Sequence, residues 1–194
     1  MNMLNFSKST LGGLMLVTLV FTGCAENKDP NTKSKDAEKT ENKGVHTPAS
    51  LLAEIAELET VVSDINTPNH TEKSLQLIQY YEDYANMFSN DKLAPEMLFR
   101  AGNQAVNLEK YELSIEEYSR VEKKYRYYLK RPEAIFLEAF VYETYLDEYG
   151  KAEEKYKKII KQYPKHELAS QAEESLKYIG ISDEERIKQF EKNL

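Results

Sequence analysis

The sequence predicts an all-α fold in which antiparallel helix pairs stack as a short solenoid, and three observations carry that reading. From Thr47 onward, apolar residues recur at spacings of three and four, which lays them on one face of successive helices. No segment shows the sustained two-residue alternation and β-branched enrichment of a strand. Tyr111, Tyr118 and Tyr125 recur as Tyr149, Tyr156 and Tyr163, each 38 positions later, with Ser114 replaced by Ala152 and Val121 by Ile159. A helix pair cannot bury its apolar face alone, so repetition at such a period implies stacking on copies of itself.

The elements follow in order. Pro48 suits a first helical turn, and Leu51, Ile55, Leu58, Val62 and Ile65 then share a face that leaves Glu54, Glu57 and Glu59 outside. Thr67-Pro68-Asn69 ends this helix. Thr71 starts the next, with Leu75, Ile78, Tyr81, Ala85 and Phe88 as its apolar positions. Asp91 caps a third helix with Pro95 in its early turns, and further helices start near Lys110, Pro132, Gly150 and His166. Ser182-Asp183-Glu184-Glu185 is a capping box that opens a last short helix. Short connections make neighbouring helices antiparallel.

Ahead of these helices lies a leader. Met1 to Lys8 carry one positive charge, Thr10 to Phe21 are nearly all apolar, and Thr22-Gly23 supply small residues before Cys24, the single cysteine. Residues 1–23 therefore read as a signal peptide. Its apolar run of about twelve residues is well short of the ~20 that a membrane-spanning helix needs. Leu19-Val20-Phe21-Thr22-Gly23-Cys24 resembles the lipobox of bacterial lipoproteins, with Phe21 in place of the family's usual Leu. The resemblance implies that Cys24 is acylated and becomes the new N-terminus. A secreted chain with one unpaired thiol would otherwise be chemically exposed. Residues 24–46 are rich in Lys, Glu, Asp, Asn and Thr and nearly free of large apolar side chains, so they read as a disordered tether of roughly 25 Å average span. Residues 47–194 form the helical domain.

The chain has a formal net charge of −7 with 30% charged residues. Its mean hydropathy is −0.66. An acidic body without a basic stripe gains no counterion-release affinity for nucleic acid. It would also avoid anionic lipid, so membrane attachment is expected to rest on the acyl chains alone.

Tyr149-Gly150, Ala152, Tyr156, Ile159 and Pro164 resemble the second helix and stop of a tetratricopeptide repeat. In that family a small residue lets two helices approach, an aromatic fills the gap, and a proline closes the unit. Leu98, Ala101 and Gly102, followed by Tyr111, Ser114, Tyr118 and Val121, fit an earlier copy. Phe136, Ala139 and Phe140 keep the pattern only in part, and Arg126 stands where the proline belongs. The resemblance implies a degenerate pair at 50–88, repeats at about 95–131 and 132–165, and C-terminal helices over 166–194. The period of 38 implies longer turns than the usual repeat. The variation is similar to the repeats of the outer-membrane barrel-assembly lipoprotein and of the Tol-Pal coordinator.

The inventory for catalysis is poor. His46, His70 and His166 stand apart from other ligating side chains, and no phosphate-cradling Gly-rich loop, nucleophile elbow or HExxH appears. The acid pairs Glu116-Glu117, Glu153-Glu154 and Glu173-Glu174 read as a solvated outer face. The expectation is a protein that is not an enzyme and holds no metal or cofactor.

The resemblance assigns binding to the inner wall built by the first helix of each unit. Candidate partner-binding residues are Phe99, Arg100, Asn103 and Asn107 on the third helix, and Leu137, Val141, Thr144 and Tyr145 on the fifth. The fifth helix is apolar around most of its circumference, consistent with burial on several sides or with a groove wall. The expected function is that of an outer-membrane lipoprotein facing the periplasm. It would be a non-catalytic adaptor for envelope proteins or peptides, with no nucleic-acid partner; the alternative is a periplasmic holdase or peptidoglycan-associated structural factor. The sequence leaves the oligomeric state open.

Overall fold

Local capping chemistry sets where the first helix begins. Thr47 Oγ1 accepts from the Ser50 N–H at 3.1 Å, while Ser50 Oγ accepts from the Thr47 N–H at 2.9 Å. This reciprocal box satisfies two N–H groups that the first turn would leave unpaired. The computed structural model describes residues 46–192, all within the unit Lys43–Leu194. The segments read from the sequence as signal peptide and tether, with Cys24, lie outside the described residues up to residue 45.

The described residues form α1 (Pro48–Val62), α2 (His70–Met87), α3 (Ala94–Asn107), α4 (Tyr111–Lys124), α5 (Arg131–Thr144), α6 (Tyr149–Gln162), α7 (Glu167–Tyr178) and α8 (Asp183–Lys192). Among them there is no strand. From α1 to α7 each helix packs on the next, and α5 also touches α7, in a repeat-like arrangement. The expected fold class is the observed one.

The repeat is visible in the turns. Each connection within a pair carries one left-handed residue: Asn69 (φ 58°), Glu109 (57°), Asp147 (53°) and Gly180 (71°). A single positive φ reverses the chain in few residues, which a side-chain-bearing residue tolerates only when the packing requires it. Each connection between pairs begins instead on an aromatic. The N–H groups of Phe88, Tyr125 and Tyr163 donate to Tyr84, Val121 and Ile159 carbonyls at 2.9, 3.1 and 2.8 Å.

The same register extends to α2. Tyr81 precedes Tyr118 by 37 positions, and Tyr118 precedes Tyr156 by 38. All three rings are buried, and each hydroxyl donates to the first helix of its own pair: Tyr81 to Glu59 Oε1 at 2.6 Å, Tyr118 to Asn103 Oδ1 at 2.7 Å, Tyr156 to Glu143 Oε2 at 2.7 Å. Burial raises all three phenol pKa values. The pair α1–α2, expected as degenerate, thus keeps the aromatic lock that defines the other two.

Two core clusters result, and α5 belongs to both. Ala134 and Val141 pack with α1–α4, whereas Ile135 and Ala139 pack with α6 and α7. This explains an α5 that is apolar around most of its surface. Ala101, Gly102, Ser114, Ala152 and the two tyrosines Tyr118 and Tyr156 are buried as expected of packing residues.

Four expected positions differ. Ile65 lies beyond the end of α1 and is exposed. Leu75 is partly exposed because α2 turns Ser74, Leu77, Ile78 and Tyr81 inward, a stripe that satisfies α1 and α3 together. Tyr149 is 40% exposed, lying along the Gly180 turn, where a Cβ would stand 3.5 Å from its ring. Pro164 is exposed and acts through backbone restriction rather than through contact.

Candidate functional site

The α3 candidates are largely occupied by the fold itself. Arg100 Nη1 donates to Glu59 Oε1 at 2.6 Å, and its Nε donates to Glu96 Oε1 at 3.0 Å, tying α1 to α3. Glu96 also accepts from Tyr128 OH and from Lys130 Nζ at 2.9 Å. Burial pulls the Glu96 carboxyl up, but hydrogen bonds from Tyr128, Lys130 and Arg100 outweigh it and hold the pKa at about 2. Phe99 is wedged between Tyr118 and Tyr128, with Lys130 Nζ 5.2 Å from its ring centre. Asn103 accepts the Tyr118 hydroxyl while remaining exposed, and Asn107 is exposed. Arg100 thus links two helix pairs and Asn103 the two helices of its own pair, while Arg100, Asn103 and Asn107 all keep part of their surface open.

The α5 candidates are displaced around the helix. Val141 is 1% exposed and Leu137 packs against the first core cluster, so neither lines an open wall. The reason is that α5 points these residues back at α1–α4. Thr144 does face an open groove of about 410 Å³ between α5 and α7, with Phe136, Phe140, Glu143, Gln171 and Ser175. Tyr145 sits at the rim, stacked on Tyr111 at 4.4 Å and edge-on to Phe140 at 5.9 Å. Phe140, 38% exposed, is the largest apolar side chain offered here, and the partner-binding set had omitted it. The missed signal is a rotation by one residue, which no periodicity resolves on a helix apolar on most sides.

Three buried carboxylates were also unforeseen. Glu117, read as part of a solvated face, is 1% exposed and accepts from Arg120 Nη1 at 2.8 Å on both oxygens. Burial drives its pKa up to about 7 against that guanidinium. Glu122 and Glu138, both buried, share Lys155 Nζ at 2.7 and 2.8 Å, and Lys158 also pairs with Glu122. Burial raises Glu138, whereas two lysines hold Glu122 below the ordinary carboxylate value despite its burial. A buried carboxylate must be paired or neutralised. The cluster therefore joins α4, α5 and α6 electrostatically where the two apolar clusters meet.

The histidines have local tasks. His166 Nδ1 accepts from Leu168 N–H at 3.3 Å as a helix cap, His70 Nε2 lies 3.0 Å from the Val62 carbonyl, and His46 stands 3.4 Å from Glu54. Among the described residues, no group of three or more His, Cys, Asp or Glu side chains is placed to hold a metal ion. No helix among them is long and apolar enough to cross a membrane. No protein-family model matches the chain, and no curated protein matches it.

Proposed function

We propose that this protein is a membrane-anchored lipoprotein of the bacterial envelope, acylated at Cys24, whose tetratricopeptide-like helix array is a non-catalytic adaptor. The observation that carries the binding part is the α5–α7 groove. Phe136 and Phe140 give it an apolar floor, and Glu143, Thr144, Gln171 and Ser175 give it a polar rim. Such a groove suits a peptide or partner segment that inserts one apolar anchor and meets the rim with polar or basic neighbours. The buried ion cluster supports the adaptor reading because it ties α5, one wall of that groove, to α4 and α6.

Cross-linking of the anchored protein in intact cells, followed by mass spectrometry, tests the reading. One or two envelope proteins recovered near stoichiometry, and lost on Phe140→Glu, are the expected result. A diffuse collection of unfolded barrel proteins, indifferent to Phe140→Glu, would transfer the assignment to a periplasmic holdase. Acylation is read independently, by palmitate labelling of the full chain and its loss in Cys24→Ser.

A further inference from the structure

The most basic stretch of this acidic chain is the connection between α4 and α5. Lys123-Lys124-Tyr125-Arg126-Tyr127-Tyr128-Leu129-Lys130-Arg131 contains five cations and no carboxylate. Two of the cations are engaged: Lys130 with Glu96, and Arg131 with the Glu122 carbonyl at 2.8 Å. Lys124 and Arg126 stand without an ion pair among the described residues, as does Lys92 on the adjoining α2–α3 connection. All three line one open groove of about 620 Å³. Its single carboxylate, Asp91, already accepts from the Leu93 N–H at 2.7 Å.

The apolar side chains here are more exposed than a loop requires. Tyr127 is 100% exposed and Leu129 88%. Their loop is nevertheless held in place, since Tyr125 OH donates to the Ser89 carbonyl at 3.2 Å and Tyr128 OH to Glu96. A pinned loop that presents Tyr and Leu among free cations has the composition of a membrane-interface contact. There, phenol and aliphatic groups enter the headgroup region while Lys and Arg meet phosphates.

Topology supplies the second argument. In an antiparallel array the first helix of every pair starts at the same end, so the chain enters α1 at Thr47 on the end that bears the α2–α3 and α4–α5 connections. Cys24 lies 23 residues upstream of Thr47. The opposite end presents Asp64, Glu109 and Asp147 instead.

We propose that the α4–α5 connection docks on anionic phospholipid, through Lys92, Lys124 and Arg126 with Tyr127 and Leu129 inserted. It thereby sets the array upright on the membrane that holds the acyl anchor. The proposal rests on the anchored reading for its setting, but the contact itself needs no acyl chain.

The test uses the chain from residue 24 with Cys24→Ser, which has no acyl group, so failure here is distinct from failure of palmitate labelling. The sequence has no tryptophan, so Tyr127→Trp places a single reporter at the tip. Vesicles of phosphatidylglycerol and phosphatidylcholine in equal parts should shift its emission to the blue and sediment the protein, and pure phosphatidylcholine should do neither. Lys124→Gln with Arg126→Gln should weaken partitioning on the order of 25-fold, about fivefold for each cation removed. Leu129→Ser should weaken it with circular dichroism unchanged. No blue shift on anionic vesicles, or equal binding by the double variant, would overturn the proposal. So would capture of polyglutamate without vesicle binding, which would make the patch an acidic-peptide site.

Discussion

Gly102 touches the ring of Tyr118 so closely that a Cβ on the glycine would stand 2.5 Å from Cε1 and 2.8 Å from Cδ1. Tyr118 is buried and its hydroxyl is fixed on Asn103, so the ring cannot withdraw. Gly102→Ala gains about 1 kcal/mol of helix propensity, but the overpacking costs about 1–3 kcal/mol. The variant should be destabilised overall, with a lowered urea midpoint and an unchanged slope. Alanine as stable as glycine would show that α3 and α4 are less tightly apposed than this.

Two of the tyrosine locks should be unequal. Tyr118→Phe removes a bond to a neutral amide and should cost about 0.5–1.5 kcal/mol, whereas Tyr156→Phe strips a donor from the Glu143 carboxylate and should cost about 1.5–3 kcal/mol. Thermal denaturation of both variants ranks them. Equal losses would mean that water replaces the phenol at Glu143.

Lys155 compensates two buried carboxylates from different helices. Lys155→Met leaves Glu138 without its cation and Glu122 with Lys158 alone, and should cost about 3–5 kcal/mol. Adding Glu138→Gln should recover part of that loss, because it removes the stranded charge. A double variant no more stable than Lys155→Met would place the loss in packing rather than in charge.

Two carboxyls give opposite pH responses. Glu117 is raised from its ordinary 4.5 to about 7, so above pH 7 the folded state carries a buried charge that the unfolded state carries in water. Its contribution is full below pH 4.5 and is lost as pH rises from there through 7. Glu96 is lowered from 4.5 to about 2, and its contribution, full above pH 4.5, is lost as pH falls toward 2. Stability measured by urea titration should thus peak on the acid side of neutrality. Glu117→Gln should flatten the decline between pH 5 and 8 while leaving the acid limb intact; an unaltered slope would exclude Glu117 as its source.

The helices, their order and the repeat register were legible in the sequence because each depends on neighbours a few residues away. Thr47 and His166 cap the helices they precede, and Ser182 accepts from the Glu185 N–H at 3.3 Å as the capping box requires. The tyrosine offset of 38 likewise marked α4 and α6 as copies, although the shift to 37 hid α2 as a third.

What tertiary structure alone decided is which side chains remain free to act. Arg100 and Phe99 resemble binding residues when their helix is viewed alone, but Glu59 from α1 and Tyr128 from the α4–α5 connection arrive to occupy them. Glu117, Glu122 and Glu138 look solvated until Arg120, Lys155 and Lys158 make their burial tolerable. Periodicity reports that a residue lies on a face. Whether that face meets core, cation or solvent depends on partners distant in the chain, and hydrophobicity carries no record of them.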